Sequence, residues 1–265
     1  MPLGSIALQL PSAPYFALLA LFAFLPPVLY VAWIRNTERY GREPWSSVAS
    51  SFLWGAVAGI VIGVILSLVL QFLLAQVEPL YAVLARRFTD PATVLGVLVV
   101  APFCEEGAKA LGVFRVRRII REPEDGFVYG ATVGLGFSAT ENLLYGIVAF
   151  LMVPEAPFTA AVLAIAVRSV SSSLVHASAT SLTGYGIARR HLWGSRFSVL
   201  PWYLGAVAIH AGFNALATFG IPFTDQFGDI GQLFGVAAAV LFALIAISLV
   251  RGKILDHEAR EDWIK

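Results

Sequence analysis

Seven apolar stretches, each long enough to cross a lipid bilayer as a helix, occupy most of this sequence. They run approximately over residues 14–34, 48–75, 92–114, 126–152, 158–188, 199–219 and 230–250, and roughly 20 helical residues span a hydrocarbon core of about 30 Å. A backbone in lipid must satisfy its own hydrogen bonds, so apolar segments of this length are read as helices. The loops between them are short. With 58% hydrophobic and 13% charged residues, the chain is too apolar for a soluble domain of its size. The expected fold is all-α, a polytopic transmembrane bundle of about seven helices. Residues 1–265 form a single integral domain, with the functional core at about 92–219.

The basic residues orient the bundle. Lys and Arg number 3 in 35–47, 4 in 115–125, 3 in 189–198 and 4 in 251–265, against only 2 in 75–91 and none in the other loops. Alternate loops are therefore basic, which places the N-terminus outside and the C-terminus in the cytoplasm and suits an odd number of crossings. Residues 1–34 carry no Lys or Arg, so the first segment reads as a retained helix rather than a cleaved signal with a basic start. The lone Cys104 cannot form an internal disulfide and reads as a small buried hydrophobe. The run RVRRIIR at 115–121 suits contact with anionic lipid rather than nucleic acid. VEPLYAVLARRF at 77–88 suits a short interfacial helix.

Against this oil-like background, polar groups inside the apolar segments stand out: Glu105, Glu106, Lys109, Glu141, Arg168, His176 and His210, with Asn142 and Asn214 beside them. A charge at the bilayer centre costs at least about 2.5–3.5 kcal/mol, so these groups must neutralise one another. Glu106 lies 9 positions from Arg115, Glu141 lies 16 from Asp125, His176 lies 13 from Arg189 and His210 lies 12 from Ser198. At 1.5 Å per residue, four helices bring polar groups to one slab roughly 14–24 Å from the cytoplasmic surface. Glu105 and Lys109, Phe137 and Glu141, His176 and Thr180, and His210 and Asn214 are each four residues apart and share a helical face. Taken singly, Lys109 and Arg168 read as ion-pair partners, Asn142 and Asn214 as interhelical hydrogen-bonding residues, and either histidine as a satisfied core residue. Their coincidence at one depth favours a shared site. Serines 169 and 171–173 read as hydroxyls bonding the preceding helical turn rather than as nucleophiles.

Hydrolysis of a peptide bond without a covalent intermediate needs a base to activate water and a donor or metal to stabilise the oxyanion. Lys109, one turn from Glu105, can keep a carboxylate ionised in a low-dielectric setting. Glu105 is the preferred base because it shares the face of Lys109, and Glu106 is the second carboxylate. Glu141, His176 and His210 form a possible zinc set of two imidazoles and a carboxylate; alternatively the histidines donate hydrogen bonds without a metal and Asn214 serves as oxyanion donor. Buried Glu, Lys and His also build proton relays, so a proton-coupled transporter or channel is the rival reading, though no internal repeat supports it.

Three motifs then stand in order: Glu105-Glu106-Gly-Ala-Lys109 as EExxK, Phe137-Ser-Ala-Thr-Glu141-Asn142 as FxxxEN, and His210-Ala-Gly-Phe-Asn214 as HxxxN. With His176 between them, Arg42-Glu-Pro-Trp45 in the first basic loop and Asp125-Gly-Phe-Val-Tyr-Gly130 opening the fourth segment, the chain resembles the PrsW family of bacterial intramembrane proteases, distant relatives of the CAAX prenyl endopeptidases. The resemblance implies essential carboxylates at Glu105 and Glu106, completed by Glu141, His176 and His210. It also implies a bacterial plasma-membrane location and a membrane-anchored protein substrate, an anti-sigma factor in the family's best-known role. Asn214 departs from the Asp expected in the better-known members, which suits an oxyanion donor better than a carboxylate ligand.

Overall fold

The computed structural model describes residues 10–38, 41–88, 90–194, 199–218 and 228–261, and among these every regular element is helical. In chain order they are α1 (Ala13–Arg35), α2 (Trp45–Leu53), α3 (Ile60–Ala75), α4 (Glu78–Ala85), α5 (Pro91–Leu95), α6 (Ala101–Val116), α7 (Pro123–Met152), α8 (Pro157–Val170), α9 (Ser172–Trp193), α10 (Val199–Thr218) and α11 (Asp229–Glu261). Two wider π-helical turns join helices without breaking them, Trp54–Gly59 between α2 and α3 and Gly96–Val100 between α5 and α6.

Six helical stretches are long and apolar enough to cross a membrane: Ala13–Arg35, Trp45–Ala75, Pro123–Met152, Pro157–Trp193, Val199–Thr218 and Ile230–Asp256. Six of the seven expected segments are thus present at close to their expected bounds. The remaining one, 92–114, is helical throughout, as α5, the π-helical turn and α6, but is not among the six. Its last piece, α6, has only 16 residues, and Glu105, Glu106 and Lys109 lower its hydropathy. The segment expected at 158–188 is likewise divided, because Ser171 leaves helical geometry (φ −121°, ψ −78°) and separates α8 from α9. The loop expected at 220–229 lies mostly outside the described residues. The short helix expected within 77–88 is α4.

The bundle is apolar on its outside. Leu68, Phe72, Phe234 and Leu249 all expose more than three-fifths of their surface, as lipid-facing side chains do when the surrounding solvent is hydrocarbon. Its inside is built of small and polar residues around α7, which packs against α1, α2, α6, α8 and α9. The start of α7 is fixed by a capping box in which Glu122 and Asp125 exchange hydrogen bonds with each other's backbone, with Pro123 at the first helical position. Gly130 and Gly134 then press α7 onto the backbone of α9. A Cβ at Gly134 would collide with the His176 carbonyl, and one at Gly130 with Thr180. This backbone-to-backbone approach lets short polar side chains on the two helices meet.

Glu38, just after α1, and Glu43, just before α2, are buried beside Asp125 at the start of α7. Burial, helped by the neighbouring carboxyls, pushes Glu38 up to about 11. Burial also pushes Glu43 up, to about 7, with nearby Arg35 pulling it down.

Candidate active site

α6 presents Glu105, Glu106 and Lys109 to α7, α9 and α10. Lys109 is fully buried, and its Nζ donates to Glu106 Oε1 at 2.8 Å, while Glu105 Oε2 is at 3.5 Å. The face-sharing pair expected at i,i+4 is present at 3.5 Å, and a shorter i,i+3 pair with Glu106 joins it. Glu106 takes the closer contact because it points into the bundle, where Thr180 Oγ1 donates to its Oε2 at 2.9 Å and His210 Nδ1 meets its Oε1 at 3.1 Å. One carboxylate thereby ties α6 to α9 and α10. Lys109 also sits over the Phe137 ring at 4.1 Å, a cation–π contact that adds to its compensation.

The geometry fixes how the histidines carry their protons. Lys109 Nζ is 2.6 Å from His176 Nδ1, and an ammonium can only donate, so Nδ1 accepts. The ring proton sits on Nε2, 2.8 Å from Glu141 Oε2, which accepts it. In His210, Nδ1 donates to Glu106, and Nε2 is left facing Glu105 Oε2 at 3.9 Å. The two imidazoles are nearly perpendicular, with centroids 4.7 Å apart.

A second polar group adjoins the first. Arg168, in the last turn of α8, donates from NH2 to Glu141 Oε2 at 2.7 Å and to Ser172 Oγ at 2.9 Å, and from Nε to Asn142 Oδ1 at 3.1 Å. Asn142 passes a hydrogen bond to Ser173 Oγ at 3.0 Å, and Ser173 meets Ser138 Oγ at 2.8 Å. Ser171 and Ser178 bond the preceding turn's carbonyls. Of Ser169 and Ser171–Ser173, only Ser171 makes the expected bond to the preceding turn; Ser172 and Ser173 accept from Arg168 and Asn142 instead, and none pairs with a histidine among the described contacts. Asn214, expected to donate to an oxyanion, donates instead to the Val97 carbonyl at 2.9 Å, inside the π-helical turn before α6. The Ala101 N–H bonds the Gly96 carbonyl and Pro102 has no N–H to offer, which leaves the Val97 carbonyl open to the amide.

These groups surround a cavity of about 290 Å³, lined by Glu105, Glu141, Arg168, His176, His210 and Asn214 among others. Glu106 and Lys109 lie behind that wall. Tyr145, which stacks beneath Arg168 at 3.8 Å, and Gly63, whose lack of a Cβ admits both Glu105 and Phe137, complete the surroundings. Neither was marked by the sequence pattern, since Tyr145 lies one turn past Glu141 among apolar residues and Gly63 lies in an uninterrupted apolar run. A larger, mostly apolar cavity of about 580 Å³ between α9, α10 and α11 lies apart from these acids and histidines.

Metal-ligating atoms of Glu105, His176 and His210 lie within 4.8 Å of one another. The set expected from sequence had Glu141 in place of Glu105, but Glu141 is committed to Arg168 and to the Nε2 proton of His176. Two imidazoles and a carboxylate suit zinc. Both histidines also direct one ring N–H to a carboxylate, His210 to Glu106 and His176 to Glu141, the arrangement that orients zinc-binding imidazoles. The nitrogens left over are His210 Nε2 and His176 Nδ1. The second is held by Lys109, which must yield it for a metal to bind there.

A helical membrane protein with a buried acid–imidazole cluster opening on an internal cavity belongs to the class of membrane-embedded proteins equipped for acid–base or metal chemistry. The sequence model of the family described as PrsW family intramembrane metalloprotease matches residues 43–247, and the chain belongs to that family. It is 30% identical over 133 residues to "Protease PrsW" of Clostridioides difficile (strain 630), an alignment covering 48% of this chain and 50% of the relative. The chain thus spans about half the length of that curated relative. No solved structure matches.

Proposed function

We propose that this protein is an intramembrane endopeptidase that hydrolyses a peptide bond of a membrane-anchored protein, with Glu105 activating the attacking water. The observation that carries the reading is the division of labour between adjacent carboxylates. Glu106 is saturated by Lys109, His210 and Thr180 and is fully buried, whereas Glu105 keeps only longer contacts and faces the cavity. A base needs an oxygen free for water, and Glu105 has one. The proton it takes is passed to the leaving amine, and His210 Nε2, 3.9 Å away, is placed to share that transfer. Arg168 and Lys109 supply positive charge on two sides of the cavity region, where charge developing on the scissile carbonyl would be stabilised.

In a zinc-bound form Glu105, His176 and His210 would hold the ion, and Glu105 would then serve as ligand in place of its role as free base. Zinc, when bound, polarises a carbonyl and lowers the pKa of water. The family's description as metalloproteases supports that arm. The basic loops support an orientation with the N-terminus outside, and the family supports a bacterial plasma membrane and an anti-sigma factor as the substrate to try first.

The test is cleavage of a membrane-tethered reporter substrate by the protein reconstituted in liposomes. Glu105→Gln is expected to abolish cleavage while the protein remains inserted and folded. Full activity in Glu105→Gln refutes Glu105 as the base, and full activity in both Glu105→Gln and Glu106→Gln refutes the glutamate-dependent peptidase altogether. Elemental analysis of the purified protein decides the metal: one zinc per chain, lost in His210→Ala, supports the zinc-bound form, and activity undiminished by chelators in zinc-free protein excludes it.

A further inference from the structure

A second acid cluster, which the cavity chemistry does not use, lies where the loop between α1 and α2 meets the first turn of α7. Asp125 is 16 residues before Glu141, so the two clusters are separated by about 24 Å along α7. One oxygen each of Glu38, Glu43 and Asp125 lies within 4.8 Å of the other two, and the residues are only 2%, 3% and 7% exposed. Asp125 Oδ2 is occupied by the backbone N–H groups of Arg121 (2.7 Å) and Glu122 (3.3 Å). The other two carboxylates have no such support. All four oxygens of Glu38 and Glu43 are shut off from solvent, and none accepts a hydrogen bond from a donor among the described residues.

Among the described residues, two arginines beside these acids bond main-chain carbonyls instead. Arg35 Nε donates to the main-chain carbonyl of Glu43 at 2.7 Å, and its guanidinium lies over the Trp45 ring. Arg42 Nε donates to the main-chain carbonyl of Glu38 at 2.6 Å. Buried carboxylates are ordinarily paired, hydrogen-bonded or bound to a metal. Buried polar atoms without partners are few in native proteins, and a bound ion is one of the ordinary reasons for them.

We propose that Glu38, Glu43 and Asp125 form a binding site for a hard divalent cation of the magnesium–calcium class, which pins the α1–α2 loop to the start of α7. The set consists of oxygen donors alone, which favours such cations over zinc or copper. Three carboxylates, with Arg35 beside Glu43, bring a doubly charged ion close to neutrality, and water fills the remaining positions as it does at magnesium sites. α7 carries Glu141 and Tyr145 to the cavity wall, so the ion would brace the helix bearing one wall of the candidate active site. The inference does not depend on the protease reading. Its competitor is a proton, since Glu38 and Glu43 lie close enough to share one.

The test uses the full-length protein in detergent after chelation, with manganese(II) as paramagnetic probe and magnesium and calcium as competitors. Wild type is expected to bind one manganese per chain in this site, to release it to magnesium or calcium, and to melt at a higher temperature with any of the three. The Glu105→Gln/His210→Ala variant should behave the same way, which separates this site from the cavity. Glu43→Gln and Asp125→Asn should each weaken binding at least about tenfold and abolish the melting shift. Absence of manganese binding by wild type overturns the proposal, and that measurement stands even where the variants fail to fold. Binding unaffected by Glu43→Gln and Asp125→Asn overturns it too, as does a wild type indifferent to cations and stabilised by Glu38→Gln, the mark of a shared proton.

Discussion

Replacing Glu106 by Gln tests whether its carboxylate is the tie between three helices. The substitution preserves shape and removes a charge that accepts from Lys109 at 2.8 Å, Thr180 at 2.9 Å and His210 at 3.1 Å with no exposed side-chain surface. Lys109 would then be a buried ammonium whose nearest carboxylate is Glu105 at 3.5 Å. Breaking a buried ion pair by removing one partner costs about 3–5 kcal/mol, because the other charge is left uncompensated. Glu105→Gln differs: its side chain is 15% exposed and its contact is longer, so the loss should stay near the ~1 kcal/mol of a partly solvated pair. Lys109→Met alone should cost about as much as Glu106→Gln, since it strands Glu106. The double variant Glu106→Gln/Lys109→Met removes both charges and should recover at least about 2 kcal/mol of the summed single losses. Reversible unfolding in mixed detergent micelles, followed by far-ultraviolet circular dichroism, gives the four free energies. A Glu106→Gln protein as stable as wild type, or strictly additive losses in the double variant, would refute the reasoning. So would a Glu105→Gln protein that is the less stable of the two.

Asn214→Ala should leave the Val97 carbonyl without its donor and cost about 1 kcal/mol. Asn214→Asp should cost more, since a carboxylate would face a carbonyl oxygen with no proton to offer; unfolding measurements on the pair, with Asp no worse than Ala, would count against the assignment. Gly134→Ala places a Cβ against the His176 carbonyl and should destabilise by about 1–3 kcal/mol as an overpacked contact. It should also lower peptidase activity by moving Glu141 from His176, and an active, fully stable variant would show that α7 and α9 can separate without consequence.

Much of the architecture was legible because bilayer crossing leaves a length signal, and the apolar runs at 14–34, 126–152 and 199–219 match their helices within a few residues. The shared depth of Glu106, Glu141, His176 and His210 was legible for the same reason, since rise per residue is fixed in any helix. Lateral neighbours were not. Counting along α7 shows how deep Glu141 lies, but not that Arg168 reaches it from a different helix across the break at Ser171. Spacing within α6 lets Lys109 meet both Glu105 and Glu106, and the closer contact goes to Glu106, which Thr180 and His210 hold from helices far along the chain. Asn214 carried a motif's spacing, yet the acceptor it found, Val97, became available only because the backbone widens there.

The widened turn at Gly96–Val100 has a further consequence for how this site is aimed. Each residue advances an α-helix by about 100°, so one residue more or fewer in a turn rotates everything after it by about that angle. Glu105 and Glu106 follow the turn by only one to two helical turns, and their direction depends on how many residues it holds. A single deletion between Gly96 and Val100 would keep both glutamates, their neighbours and the apolar composition of the segment. It would also swing their side chains about a quarter of a turn or more around the helix, so that the carboxylate now facing Thr180 and His210 would be redirected and no residue of the motif would have changed. The aim of the EExxK sequence is therefore encoded in the residue count of the stretch before it.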